Sequence, residues 1–113
     1  PLQALVTMND PQFIEASRYL AQRAIRDGGA DFDERLDFVT TRLLARVFDA
    51  DERSVVLRTY DRLLNAYRVN TAGAEELIHV GDSTPTLGLA VDESAAWTMV
   101  VNQLMNLDEV LNK

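Results

Sequence analysis

Residues 9–29 read NDPQFIEASRYLAQRAIRDGG, and the fold class follows from how that stretch begins, repeats and ends. Asp10 can accept hydrogen bonds from the free N–H groups of a helix start, and Pro11 takes the first helical position, where its missing N–H is no loss. Phe13, Ala16, Leu20 and Ala24 recur at helical spacing with Ile14, Ala21 and Ile25 beside them, and Gly28-Gly29 supplies the stop. The stretch predicts a capped amphipathic helix, and the remainder of the chain varies the same pattern.

Before it, Leu2, Leu5, Val6 and Met8 outline a short opening helix interrupted by Asn9-Asp10-Pro11. After it, Asp31 or Asp33 caps a helix in which Leu36, Val39, Leu43 and Val47 recur, widened by Phe38 and Leu44. FDADE at 48–52 is a short break with Asp49 or Asp51 as the next cap, and Val56, Tyr60, Leu63 and Tyr67 form the following stripe. So short a connection predicts that these two helices make a tight antiparallel pair. Thr71 is placed to cap a shorter helix through Leu77 and Ile78, stopped near Gly81, and GDSTPTLGLA at 81–90 reads as a loop. Asp92 caps the last helix, with Ala96, Trp97, Val100, Leu104 and Leu107 on one side. That helix either continues to Leu111 or breaks near Asn106, with Asp108 as a new cap.

No segment alternates with period two between hairpin turns, and no fixed-period repeat occurs. The expected class is therefore all-α, an irregular bundle of about five to six helices. Residues 1–113 are expected to form a single helical domain, the C-terminal fragment of a larger protein, because a chain starting at Pro1 reads as internal.

A chain of 113 residues can remove about two thirds of its unfolded surface from water and needs no metal or disulfide to staple it. Hydrophobic residues at 47% and charged ones at 26% describe an ordinary globular domain. The net charge of −7 disfavours a phosphate backbone or an anionic membrane as partner, although ten of the eleven basic residues are arginine. The absence of cysteine excludes disulfides, thiolate nucleophiles and cysteine-ligated metals within the segment, and the apolar runs are too short to span a bilayer.

Chemistry has few footholds. Residues 78–83, IHVGDS, superficially resemble the nucleophile block of GDSL esterases, yet no histidine follows Ser83 and a helix precedes it where that family has a strand. Asp82 and Ser83 are better read as making local backbone bonds in a turn. His79, the one histidine, reads as a capping or partly buried structural residue, since base chemistry also needs an orienting partner. Asp27, Asp31, Asp33 and Glu34 bring calcium to mind, but the EF-hand spacing fails, and helix capping explains them. Asp49, Asp51 and Glu52 receive the same reading.

Arg35, Arg42 and Arg46 share one side of their helix, and Arg58 and Arg62 line part of the next, which would suit an anion or polymer groove. Asp31 four residues before Arg35 and Glu15 three before Arg18 favour solvated ion pairs instead. Trp97 reads as core or interface. No residue is assigned a catalytic, cofactor-binding or metal-ligating role, and no cofactor is expected.

The motifs together resemble a known family. PLQAL at 1–5 with NDP at 9–11, Gly81-Asp82-Ser83, Ala96-Trp97 and MNLDE at 105–109 are similar to the C-terminal part of the planctomycete-specific PSD-one domain, a domain of unknown function; Met105 replaces that family's leucine. The resemblance implies a bacterial exported protein, periplasmic or in the cell envelope, whose relatives often carry a Cys-x-x-Cys-His haem site. With no cysteine here, haem does not carry over.

Two functions remain. The first is a helical accessory or interaction module packing against the upstream region of its parent, with a homodimer through the apolar opening helix as a further expectation. The alternative is one wall of an enzyme site, acting on an extracellular polymer and completed by upstream domains. The discriminating feature is whether polar side chains converge in a pocket or the unusual surface is apolar.

Overall fold

The computed structural model describes residues 10–111, so the expected opening helix over 2–8 lies outside the described residues. Five helices follow in order: α1 (Pro11–Asp27), α2 (Phe32–Leu44), α3 (Ala50–Val69), α4 (Thr71–Ile78) and α5 (Val91–Leu111). No strand occurs among the described residues, and the all-α class expected from the helical spacing is the observed one.

Local chemistry sets most boundaries. The Gln12 N–H donates to Asp10 at 2.8 Å with Pro11 in the first turn, and the Gly28 N–H closes α1 on Ala24. Of the two aspartates available before α2, Asp31 is the cap, and of those before α3, Asp49. Each accepts from the N–H three residues on, Glu34 and Glu52 respectively, whose side chains reach back to the cap backbone. These reciprocal bonds satisfy donors that a helix start otherwise leaves open.

Three boundaries differ from expectation. α2 stops at Leu44 with Ala45 in the left-handed conformation at φ 60°, which leaves Val47 outside the helix and 54% exposed. The α4 cap is Asn70, whose side chain accepts from the Gly73 N–H, so that α3 passes into α4 through that single residue rather than through Thr71. Ala90 supplies the carbonyl of the first α5 bond, to the Ser94 N–H, while Asp92 sits in the first turn and accepts from Glu93. α5 then runs unbroken to Leu111.

α5 is the element on which the others converge: it packs against α1 most extensively, and also against α3, α4 and α2. Its middle is buried all round, from Ser94 through Thr98 and on through Val100, Val101 and Asn102. Small residues at 94–96 let neighbouring helices approach, and Trp97 fills the centre. Its ring lies 5.2 Å from Phe32 of α2 and 5.0 Å from Tyr60 of α3. Leu36, Val39, Ala21, Ala24 and Ile25 complete this core, while Ala74 and Ile78 of α4 form a second, smaller cluster against Ala95.

The expected tight pairing of α2 with α3 does not occur. Their backbones stay apart, both lean on α5, and they meet through side chains: Phe32 against Tyr60 at 5.5 Å, and Arg53 bonded to Asp37 and paired with Asp33 at 3.6 Å. A short connection constrains only the ends it joins, and Trp97 of α5 packs against both Phe32 and Tyr60, so that each helix finds its main partner in α5.

Two carboxylates make folding acid-sensitive. Hydrogen bonds from Arg46, and then the Asp49 N–H, hold Glu52 down at about 2 from an ordinary 4.5. Glu15 is lowered mainly by its bonds to Ser83. Both folded values lie below the unfolded ones, so their contribution is present above about pH 4.5 and is lost as pH falls through the folded values. Urea midpoints should therefore drop between neutral pH and about pH 3. Glu52→Gln should flatten part of that slope, and equal slopes in the two proteins would contradict the assignment.

Candidate functional site

The polar residues with the strongest geometry sit on the face of α1 that packs against α5 and the 79–90 loop. Ile14, Ser17, Arg18, Ala21, Gln22, Ala24 and Ile25 are buried there, whereas Ala16 is exposed and Phe13 and Leu20 only half-buried. The buried face is thus rotated from the expected stripe, because it includes three polar residues that an apolar template passes over.

Arg18 is the correction with the largest consequence. It is 3% exposed, not a solvated partner of Glu15. Its guanidinium donates to the Ile78 carbonyl at 2.8 Å, to the Val80 carbonyl at 3.2 Å, and to both the carbonyl and the hydroxyl of Ser83. Glu15 accepts from the Ser83 N–H at 2.5 Å, and Gln22 accepts from the Thr86 N–H at 2.8 Å while donating to Ser94. Three side chains from one helix therefore clasp the backbone of the loop, supplying partners that irregular backbone beside a core would otherwise lack.

The GDS string belongs to this clasp. Gly81 adopts φ +95°, and a Cβ there would sit 2.5 Å from the Glu15 carboxylate. The Ser83 hydroxyl faces Arg18, while the His79 ring turns back on its own helix, with Nδ1 2.8 Å from the Glu75 carbonyl. An esterase arrangement would need Ser83 Oγ to donate to an imidazole; here that hydroxyl accepts from a guanidinium. Gly81→Ala should lower stability by about 1–3 kcal/mol, the usual cost of a side chain at such a backbone angle. Chemical denaturation checks this, and an unchanged midpoint would show that the turn can reshape freely.

The acidic groups are engaged separately. Asp31 and Asp49 cap helices, Asp27 pairs with Arg26 at 3.0 Å, and Asp33 and Asp37 flank Arg53. Among the described residues, no group of three or more carboxylates and histidines is arranged to hold a metal ion. Three of the five arginines expected to line a groove have local partners, while Arg58 and Arg62 are exposed. Arg35 bonds Gly29 and Glu93, Arg42 lies 3.4 Å over the Phe38 ring, and Arg46 grips Glu52 with two bonds.

One concave surface among the described residues is apolar. A groove of about 460 Å³ runs between the first half of α3 and the second half of α5. Phe48, Val55 and Val56 form one wall, and Val100, Leu104 and Leu107 the other, with Glu52, Thr59, Gln103 and Asn106 at its margins. Val55 and Leu107 are 54% and 43% exposed. The Asn106 Oδ1 is buried without a hydrogen-bond donor among the described residues. Sequence spacing places Leu107 on the same side of α5 as Trp97 and Leu104, but no described helix covers that part of it.

No curated protein and no solved structure matches the chain. The sequence model of one family, PSD1, protein of unknown function (DUF1553), matches residues 1–60, which span the opening motif, α1, α2 and α3 as far as Tyr60. The closing motif in α5 lies past the matched range. With more than half of the 113 residues matched, the chain belongs to the PSD1 family of proteins of unknown function (DUF1553).

Proposed function

We propose that this domain is a helical interaction module which packs, through the groove between α3 and α5, against the part of a longer chain that precedes α1. The observation that carries the reading is the contrast between the two kinds of surface. Arg18, Glu15, Gln22, Arg46 and the capping aspartates are engaged in caps, an ion pair and the clasp on the loop, whereas an apolar groove with two exposed aliphatic residues is left uncovered by the described helices. Apolar surface of this kind marks a contact site. The groove suits a helix or extended segment bearing Leu, Val or Met.

The enzyme-wall alternative has less behind it. The groove's one carboxylate, Glu52, is already held by Arg46 and by the cap of α3. Deleting the domain from the longer chain separates the two readings. An interaction module predicts a less stable or more readily digested parent whose chemical step is little changed. A fall in kcat of about a hundredfold or more, the scale of losing an acid–base group, would favour the wall. The family resemblance also carries a proposal of export, which fractionation of native cells into envelope and cytosol checks.

A further inference from the structure

We infer that the outer face of the α1–α2 hairpin is a second contact site, one that takes a short acidic segment of a protein partner, with Arg23 and Arg42 receiving its carboxylates beside Tyr19. It shares no residue with the groove between α3 and α5. Aromatic rings and guanidinium groups alternate here across the two helices. The Arg23 guanidinium carbon lies 5.9 Å from the centre of the Tyr19 ring and 5.6 Å from that of Phe38, and the Arg42 guanidinium lies 3.4 Å over the same Phe38 ring. Tyr19 to Arg23 and Phe38 to Arg42 are each a four-residue step, one turn along a helix face. The ring shared by the two cations is wedged against the end of α1, where a Cβ on Gly28 would come within 3.1 Å of the Phe38 Cβ.

These two arginines carry charge without a bonded carboxylate. Arg35 and Arg46 bond Glu93 and Glu52, whereas Arg42 donates only to the Phe38 carbonyl one turn back. Among the described residues, Arg23 has neither a hydrogen bond nor an ion pair. The Asp27 carboxyl is held below its ordinary value chiefly by hydrogen bonds from Arg26, with the charges of Arg26, Arg23 and Arg42 adding to the effect. Both Asp27 oxygens are bonded to Arg26, so the field of Arg23 and Arg42 is present while their N–H edges stay open. A guanidinium lying on a ring is already oriented and partly desolvated, which makes it a better receiver for a carboxylate than a freely rotating one. Arg58 and Arg62 offer the contrast: they are exposed on α3 with no ring against them.

What borders the ladder sets the size and class of the partner. The turn that closes the hairpin carries Asp31, Asp33 and Glu34, so a long polyanion would run from arginines onto carboxylates, whereas one or two carboxylates fit. Tyr19 is 66% exposed, and tyrosine and arginine are the residue types that dominate protein contact sites, which points to an acidic peptide. The isotopically labelled 113-residue chain is titrated with the blocked peptide Glu-Tyr-Glu-Glu while the arginine Nε–H signals are followed. The Arg23 and Arg42 signals should shift and saturate together, and those of Arg58 and Arg62 should move several times less. The peptide with glutamine in place of glutamate should produce no such shifts. Arg23→Gln should weaken binding about tenfold, and Arg42→Gln, at an exposed position, gives the same reading where the first variant disturbs the fold. Equal shifts at Arg58 and Arg62 would reduce the effect to general attraction and overturn the inference. An equal response to the glutamine peptide, unchanged binding in folded variants, or tighter saturation by an oligogalacturonate than by the peptide would overturn it as well.

Discussion

Arg18→Ala should be among the most damaging single substitutions in the chain, lowering stability by on the order of 3–5 kcal/mol. The change removes a buried charged donor and leaves the carbonyls of Ile78, Val80 and Ser83 without their partner, next to a core that admits little water. Set against a total of about 5–15 kcal/mol for a domain of ordinary stability, such a loss brings the chain close to unfolding at room temperature. Arg18→Lys should recover only part of it, because an ammonium is a point donor and cannot span carbonyls that the planar fork reaches together. Urea unfolding of both variants checks this. A midpoint for Arg18→Ala close to the parent's would mean that the loop finds other partners and that the clasp is incidental.

Trp97→Ala should cost about 3–5 kcal/mol, the usual range for deleting a large aromatic side chain from a core. Trp97 is 1% exposed and touches Phe32 and Tyr60, so its removal opens a cavity where α2, α3 and α5 meet. Trp97→Phe should recover much of the loss by keeping an aromatic surface, although it leaves a void in place of the larger ring. Thermal unfolding followed by far-ultraviolet circular dichroism suits both variants, since fluorescence would lose its only tryptophan. Equal midpoints for Trp97→Ala and the parent would contradict the placement of Trp97 at the junction.

Helix starts were the most legible part of this fold. Asp10-Pro11, Asp31 with Glu34, and Asp49 with Glu52 announce themselves because a cap is a local bond between residues at most three apart. Helix partners were less legible. The break at 48–52 implied that α2 and α3 close on each other, but both pack chiefly against α5, a contact with residues far along the chain that leaves no trace near the break.

The clasp was legible only in retrospect. Ile14, Arg18, Ala21 and Ile25 share one face, and a charged residue within such a stripe is the available signal for a buried arginine. What it would bind could not be read, because its acceptors are backbone carbonyls of a loop about sixty residues away, and carbonyls carry no sequence identity. The groove was hidden for the opposite reason. Val55 and Leu107 look like ordinary stripe residues, and only the packing reveals that no described element covers them.

The account holds that the caps and the clasp serve the fold and that the module packs through the groove, and one titration tests this most directly. A segment from the region that the proposal places ahead of the domain is added to the 113-residue chain in a calorimeter, with the double variant Val55→Glu and Leu107→Glu as comparison and circular dichroism to verify that the variant is folded. The account predicts saturable binding to the parent sequence that weakens by about tenfold or more in the variant, since each carboxylate would have to be desolvated against an apolar wall. No binding to the parent sequence, or equal binding to a folded variant, would contradict it.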